Sequence, residues 1–206
     1  MNATLQRNEQ LTDLLNKIID NRELHERWLA TLSYLENCGA RKISAFLPSG
    51  DVDLTLLKHA AEEARHAWFF KKQIGRIAPE IKANYALLGG LSGRRYLNAL
   101  DVGACRAVKR VLGHEGRALK HRAYLLTTLA IEERAAVFYP FYNEMLKDKG
   151  IRISLSSVIK EEDQHLADIE AECALMGDLG PITDEVRDLE KRLYNRFIAK
   201  VAEEIA

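Results

Sequence analysis

A chain of 206 residues, 47% hydrophobic and 29% charged with four prolines, is long enough for one closed core and too short for two large ones, and this composition excludes a disordered or fibrous protein. Thirty Lys+Arg balance thirty Asp+Glu, which removes any overall charge argument for nucleic acid or an anionic membrane as partner. The expectation is a single domain, 1–206.

The first apolar stripe runs from Leu5 through Leu11, Leu14, Leu15 and Ile18, and the second through Trp28, Leu29, Leu32, Leu35, Ala40 and Ile43. They predict one long helix or two joined near Asn21. LPSGD at 47–51 breaks the pattern, and Asp51 or Asp53 can cap the helix that follows, over about 54–77, which ends near Pro79. LLGGLSG at 87–93 is a glycine-rich connection before a helix over 94–112. Gly113 and Gly116 interrupt the chain, and the next helix, 119–147, carries Pro140, which predicts a bend. DKGIRIS at 148–154 is a loop, a helix covers 156–176, and GDLGP closes it. A final amphipathic helix starts with Thr183 or Asp184 as its cap. Nothing alternates as a strand does, so the predicted class is all-α.

Two words stand out along this series. EEARH at 62–66 returns as EEDQH at 161–165, and LATLSYLE at 29–36 aligns with LTTLAIEE at 126–133, pairing Glu36 with Glu133. Each copy supplies a lone glutamate, a spacer of just under thirty residues, then Glu-x-x-His. Residues three apart share a helical face, so Glu63 with His66, and Glu162 with His165, can each hold one metal ion. The spacer is what two half-helices and a turn consume, so Glu36 can face Glu63 and Glu133 can face Glu162. Glu62, Glu132 and Glu161 stand about 100° round the helix and are expected to point elsewhere. Glu132 is the rival of Glu133, since a face with Leu125, Thr128, Leu129, Ala135 and Ala136 would also pack; the repeat alignment selects Glu133. His25, His59, His114 and His121 lack a carboxylate at ligand spacing and are expected at the surface or behind the ligands. Trp68, Phe69, Phe70, Phe138, Tyr139, Phe141 and Tyr142 are expected in the core.

This residue set resembles that of the ferritin-like di-iron or di-manganese carboxylate proteins, in which two helices each give a glutamate and two others each give Glu-x-x-His. The resemblance covers about 24–176. It implies a ferritin-like four-helix bundle with additional helices at the N-terminus, in the connection between bundle helices two and three, and at the C-terminus. It also implies Glu36 and Glu133 as terminal ligands, Glu63 and Glu162 as bridging carboxylates, and His66 and His165 as nitrogen ligands. Two iron ions are the implied cofactor, and a mixed manganese–iron or di-manganese pair suits the same donors.

Rubrerythrins resemble the chain in both ExxH words but carry a further glutamate where this sequence has Ala130, and a rubredoxin domain with CxxC pairs. Bacterioferritins share both words, but the stretch from His66 to Glu133 is longer than a simple crossover needs. That insertion looks more like the ferritin-like oxygenases, where added helices frame a substrate pocket. The implied function is a dioxygen-dependent di-iron oxygenase or oxidase acting on a small or carrier-bound organic substrate with an external electron donor. The alternatives are a ferroxidase or iron-storage protein, and a metal-free helical interaction bundle.

Other features bound the partners. Between Arg94 and Arg122 eight Arg or Lys face only Asp101 and Glu115, a solvated basic helix or a docking patch for an anionic substrate or carrier. The N-terminal MNATLQRNEQ lacks a secretory pattern and no apolar run approaches the roughly 20 residues of a membrane span. Cys38, Cys105 and Cys173 form no CxxC pair. A cytoplasmic protein with reduced, buried thiols and neither membrane nor nucleic acid as partner is expected, and the spare amphipathic segments at both ends favour a homodimer.

Overall fold

A computed structural model describes residues 9–46, 53–77, 86–177 and 179–206. Among them the protein is all-helical, with no strand: α1 (Glu9–Asp20), α2 (Arg22–Phe46), α3 (Leu54–Ile77), α4 (Ser92–Leu112), α5 (Gly116–Asp148), α6 (Ser156–Leu175) and α7 (Gly180–Ile205). The chain divides into two compact units. The first is Met1–Gly90 with Glu144–Ile153 and Val201–Ala206; the second is Leu91–Asn143 with Ser154–Lys200. The division follows the internal repeat, with α2 and α3 in the first unit and α6 and most of α5 in the second.

In the first unit the two N-terminal stripes are separate helices. Asn21 breaks between them because its Oδ1 accepts the Leu24 N–H at 3.1 Å, satisfying one of the donors that a helix start leaves without a partner. α1 buries Leu14, Leu15, Ile18 and Ile19, spaced for one face. Asp53 caps α3, its Oδ1 accepting from the Thr55 and Leu56 N–H groups at 2.8 and 3.2 Å. Asp51, the other candidate cap, the LPSGD break, Leu5 and Pro79 lie outside the described residues, as does Asp178 of GDLGP. α2 and α3 pack along their lengths, and the Ser33 hydroxyl donates to the Ala67 carbonyl at 2.7 Å. The glycine-rich connection is held by Thr31, whose Oγ1 accepts the Leu88 N–H at 2.9 Å, and by Glu204, which takes the Gly89 N–H at 2.8 Å and pairs with Arg27. Gly150, φ 66°, closes the end of α5, with the Ile151 N–H on the Leu146 carbonyl and the Gly150 N–H on the Lys147 carbonyl, both at 2.9 Å. That double bond pattern needs the left-handed backbone glycine tolerates.

In the second unit Leu100, Ala104, Val108, Ala123, Leu126 and Ala130 form a core with Leu179, Ile182 and Val186. Small residues bring α4 and α7 close: a β-carbon at Gly103 would overlap the Leu189 side chain. α4 starts two residues earlier than predicted and α5 three, at Gly116 itself. Pro140 stands inside α5. α7 starts at Gly180, before the expected caps, because Pro181 suits a first helical turn that has no use for its missing N–H. Thr183 therefore sits inside the helix, donating to the Leu179 carbonyl at 3.0 Å.

Several expected positions change. Trp68 is 60% exposed; Phe70, Phe138, Tyr139 and Tyr142 are buried, and Phe69 and Phe141 are half-buried. His25 and His59 are buried, His25 with its pKa lowered to about 4 by burial, and His121 meets Glu172 at 2.9 Å. The three cysteines are half-buried and none is in a disulfide. No described helix is long and apolar enough to cross a membrane.

Candidate metal centre

Each unit carries a buried carboxylate–imidazole triad. In the first unit one ligand atom from each of Glu36, Glu63 and His66 lies within 4.8 Å of the other two, and all three residues are buried. α2 supplies Glu36 from the same face as Leu29, Leu32 and Ala40, and α3 supplies Glu63 and His66 one turn apart. His66 Nδ1 stands 3.7 Å from Glu36 Oε2.

Gly39, one turn beyond Glu36, makes room for this triad. A β-carbon there would stand 2.9 Å from Glu63 Oε2, closer than van der Waals contact allows. Glu62, beside Glu63, turns to Lys58 and Arg65 at 3.9 and 3.5 Å, as the 100° rotation per residue requires.

In the second unit the triad is Glu132, Glu162 and His165, again buried, with one ligand atom from each within 4.8 Å of the others. His165 Nδ1 is 3.3 Å from Glu162 Oε2. α5 thus brings Glu132, and not Glu133, to α6. Glu133 is half-buried and chelated by Arg187 of α7, whose Nε donates to Oε1 and Oε2 at 2.9 Å.

The helix geometry explains the exchange. α5 has two apolar faces. Ala123, Leu126 and Ala130 enter the core with α4 and α7, and Glu133 prolongs that line. Leu125, Thr128 and Leu129 are buried on the neighbouring face, and Glu132 prolongs theirs. An apolar repeat aligned by its leucines cannot distinguish two faces that are both buried. Of the six residues with ligand character in the sequence, five belong to the two triads, and Glu132 stands where Glu133 was expected.

The donors in each triad fit one hard-to-borderline divalent cation. Two carboxylates and an imidazole in each triad could hold a metal ion. Two buried carboxylates without a cation are strongly disfavoured, and one divalent ion per triad brings each cluster to neutrality. The absence of a β-carbon at Gly39 leaves room for the Glu63 carboxylate where it stands. Compared with models of known families, with curated proteins and with solved structures, the chain gives no significant match.

Proposed function

We propose that the two triads together hold a pair of iron ions in a ferritin-like four-helix bundle of α2, α3, α5 and α6, and that the protein is a dioxygen-dependent oxidoreductase acting on an organic substrate. One observation carries the reading: two buried Glu–Glu–His triads, built at matching places in an internal repeat, from one helix giving a glutamate and the next giving Glu-x-x-His. Glu36, Glu63 and His66 from one triad and Glu132, Glu162 and His165 from the other would hold the pair. α4, which occupies the long stretch between the two halves of the repeat, fits an oxygenase better than a storage shell, whose subunit needs only a crossover there.

When bound, the metal pair supplies the electrons that dioxygen accepts. The chain supplies the rest. His66 and His165 fix the orientation of the metal ligands from rigid helices, and burial keeps bulk water from the carboxylates. The absence of a side chain at Gly39 leaves room for the Glu63 carboxylate, which would help hold the pair from α3.

Reconstitution with ferrous iron under argon, followed by metal analysis, tests the reading. Two ions per chain, and oxygen uptake that depends on an organic substrate and a reductant, support it. Fewer than one ion per chain contradicts it, and a large shell retaining many more than two irons per chain points to storage instead.

A further inference from the structure

The outer face of α3 is unlike the rest of that helix. Leu54 is 80% exposed, and Leu57 and Trp68 are exposed on the same side. Every exposed charged residue on the helix is a cation: Lys58, Arg65, Lys71, Lys72 and Arg76. Of its two acids, Glu63 enters the triad, and Glu62, buried, pairs with Lys58 and Arg65. Lys72 Nζ lies 4.6 Å from the centroid of the Trp68 ring, so a cation and an exposed indole form one surface element.

Trp68 follows His66 by two residues, one side chain directed outward and the other into the candidate metal centre. We infer that the exposed face of α3 docks an acidic one-electron carrier protein, which delivers electrons through Trp68 and the short backbone path to His66. This deepens the proposed function and rests on it.

Charge and size favour that occupant. A second copy of the chain would set cation against cation on this face, whereas an acidic protein complements it. Leu54 to Arg76 spans about 35 Å at 1.5 Å per residue, so the strip offers a few hundred Å² at about 10 Å width. That is the scale of a transient electron-transfer encounter and well under the ~800 Å² per partner of a stable complex. An exposed tryptophan among lysines supplies the aromatic anchor such an encounter needs. Each encounter moves one electron: the carrier is oxidised by one, and one trivalent metal ion is reduced to the divalent state. Two encounters restore the pair.

The test uses the full-length, iron-reconstituted protein and an acidic [2Fe–2S] ferredoxin as probe, with calorimetry to read binding and stopped-flow absorbance to read oxidation of the reduced ferredoxin. Binding is expected at low salt, weakening about tenfold or more between about 50 and 300 mM salt. The paired charge reversal Lys71→Glu with Lys72→Glu should weaken it about tenfold with metal content unchanged, and Trp68→Ala should slow ferredoxin oxidation more than it weakens binding. Absence of ferredoxin binding, or binding indifferent to the charge reversal, overturns the inference. Preference for anionic phosphatidylglycerol vesicles over ferredoxin overturns it too and assigns the face to a membrane. If the protein takes up no metal yet binds ferredoxin through these lysines, the dinuclear reading fails while the acidic-protein surface stands. If it loads metal and ignores ferredoxin, the surface inference alone fails.

Discussion

Gly39 and Glu63 face each other so closely that a β-carbon on one would stand 2.9 Å from a carboxylate oxygen of the other. The atom in the way is the end of a flexible side chain, so the metal-free protein can absorb a methyl group by turning the carboxylate aside. In a helix interior alanine is favoured over glycine by about 1 kcal/mol. Gly39→Ala should therefore leave the metal-free protein at least as stable as the parent, while weakening metal binding by about tenfold or more through the displaced ligand. Thermal melts of the metal-free form beside calorimetric iron titrations separate the two effects.

Adjacent glutamates on α5 should behave as different kinds of residue. Glu132→Gln is expected to lower metal content to one ion per chain or less. Glu133→Gln should leave metal content unchanged and cost at most about 1 kcal/mol, the usual worth of a partly exposed ion pair such as the one with Arg187. Metal analysis after identical reconstitution, with urea denaturation of both variants, decides between the neighbours.

His25 ties stability to pH. Burial lowers its pKa from 6.5 to about 4, so the unfolded chain takes up a proton in a range where the folded one does not. The stability that depends on a neutral imidazole is whole above pH 6.5 and is lost as the pH falls toward 4. Between pH 7 and pH 5 the loss from this residue is about 2 kcal/mol. Urea unfolding at the two pH values should show His25→Gln losing less stability over the interval than the parent by about that amount.

Arg134 holds a buried anion. Its guanidinium donates to both oxygens of Glu190 at 2.9 and 2.7 Å, Glu190 also accepts the Tyr96 hydroxyl at 2.9 Å, and the guanidinium carbon lies 4.3 Å from the centroid of the Tyr194 ring. Removing the cation strands a carboxylate that is 3% exposed. Arg134→Ala should cost about 3–5 kcal/mol. Arg134→Ala combined with Glu190→Leu should recover a substantial part of that, as chemical denaturation would show.

Much of this was readable from residue order because helical periodicity and helix-stop chemistry are local. Asn21, Asp53 and Gly113 act within one turn of themselves, so the ends they create can be read from a few neighbours. Thr183 and Asp184 are good caps in isolation, but Pro181 and Gly180 extend α7 beyond them. The Glu-x-x-His words were legible because both members of each lie on one helix. Glu132 was not, since its choice over Glu133 depends on Arg187, more than fifty residues away, and on two buried faces of α5 that no local pattern ranks. Burial of His25 and His59, and exposure of Trp68, are likewise set by distant packing.

The most direct test of the dinuclear centre is an anomalous-difference map from a crystal of the iron-reconstituted protein, recorded at the iron absorption edge. Two peaks per chain about 3.5–4 Å apart, enclosed by Glu36, Glu63, His66, Glu132, Glu162 and His165 with Glu133 still on Arg187, are the expected result. A single peak held by one triad, separate peaks that share no carboxylate, or no peak at either triad would contradict it.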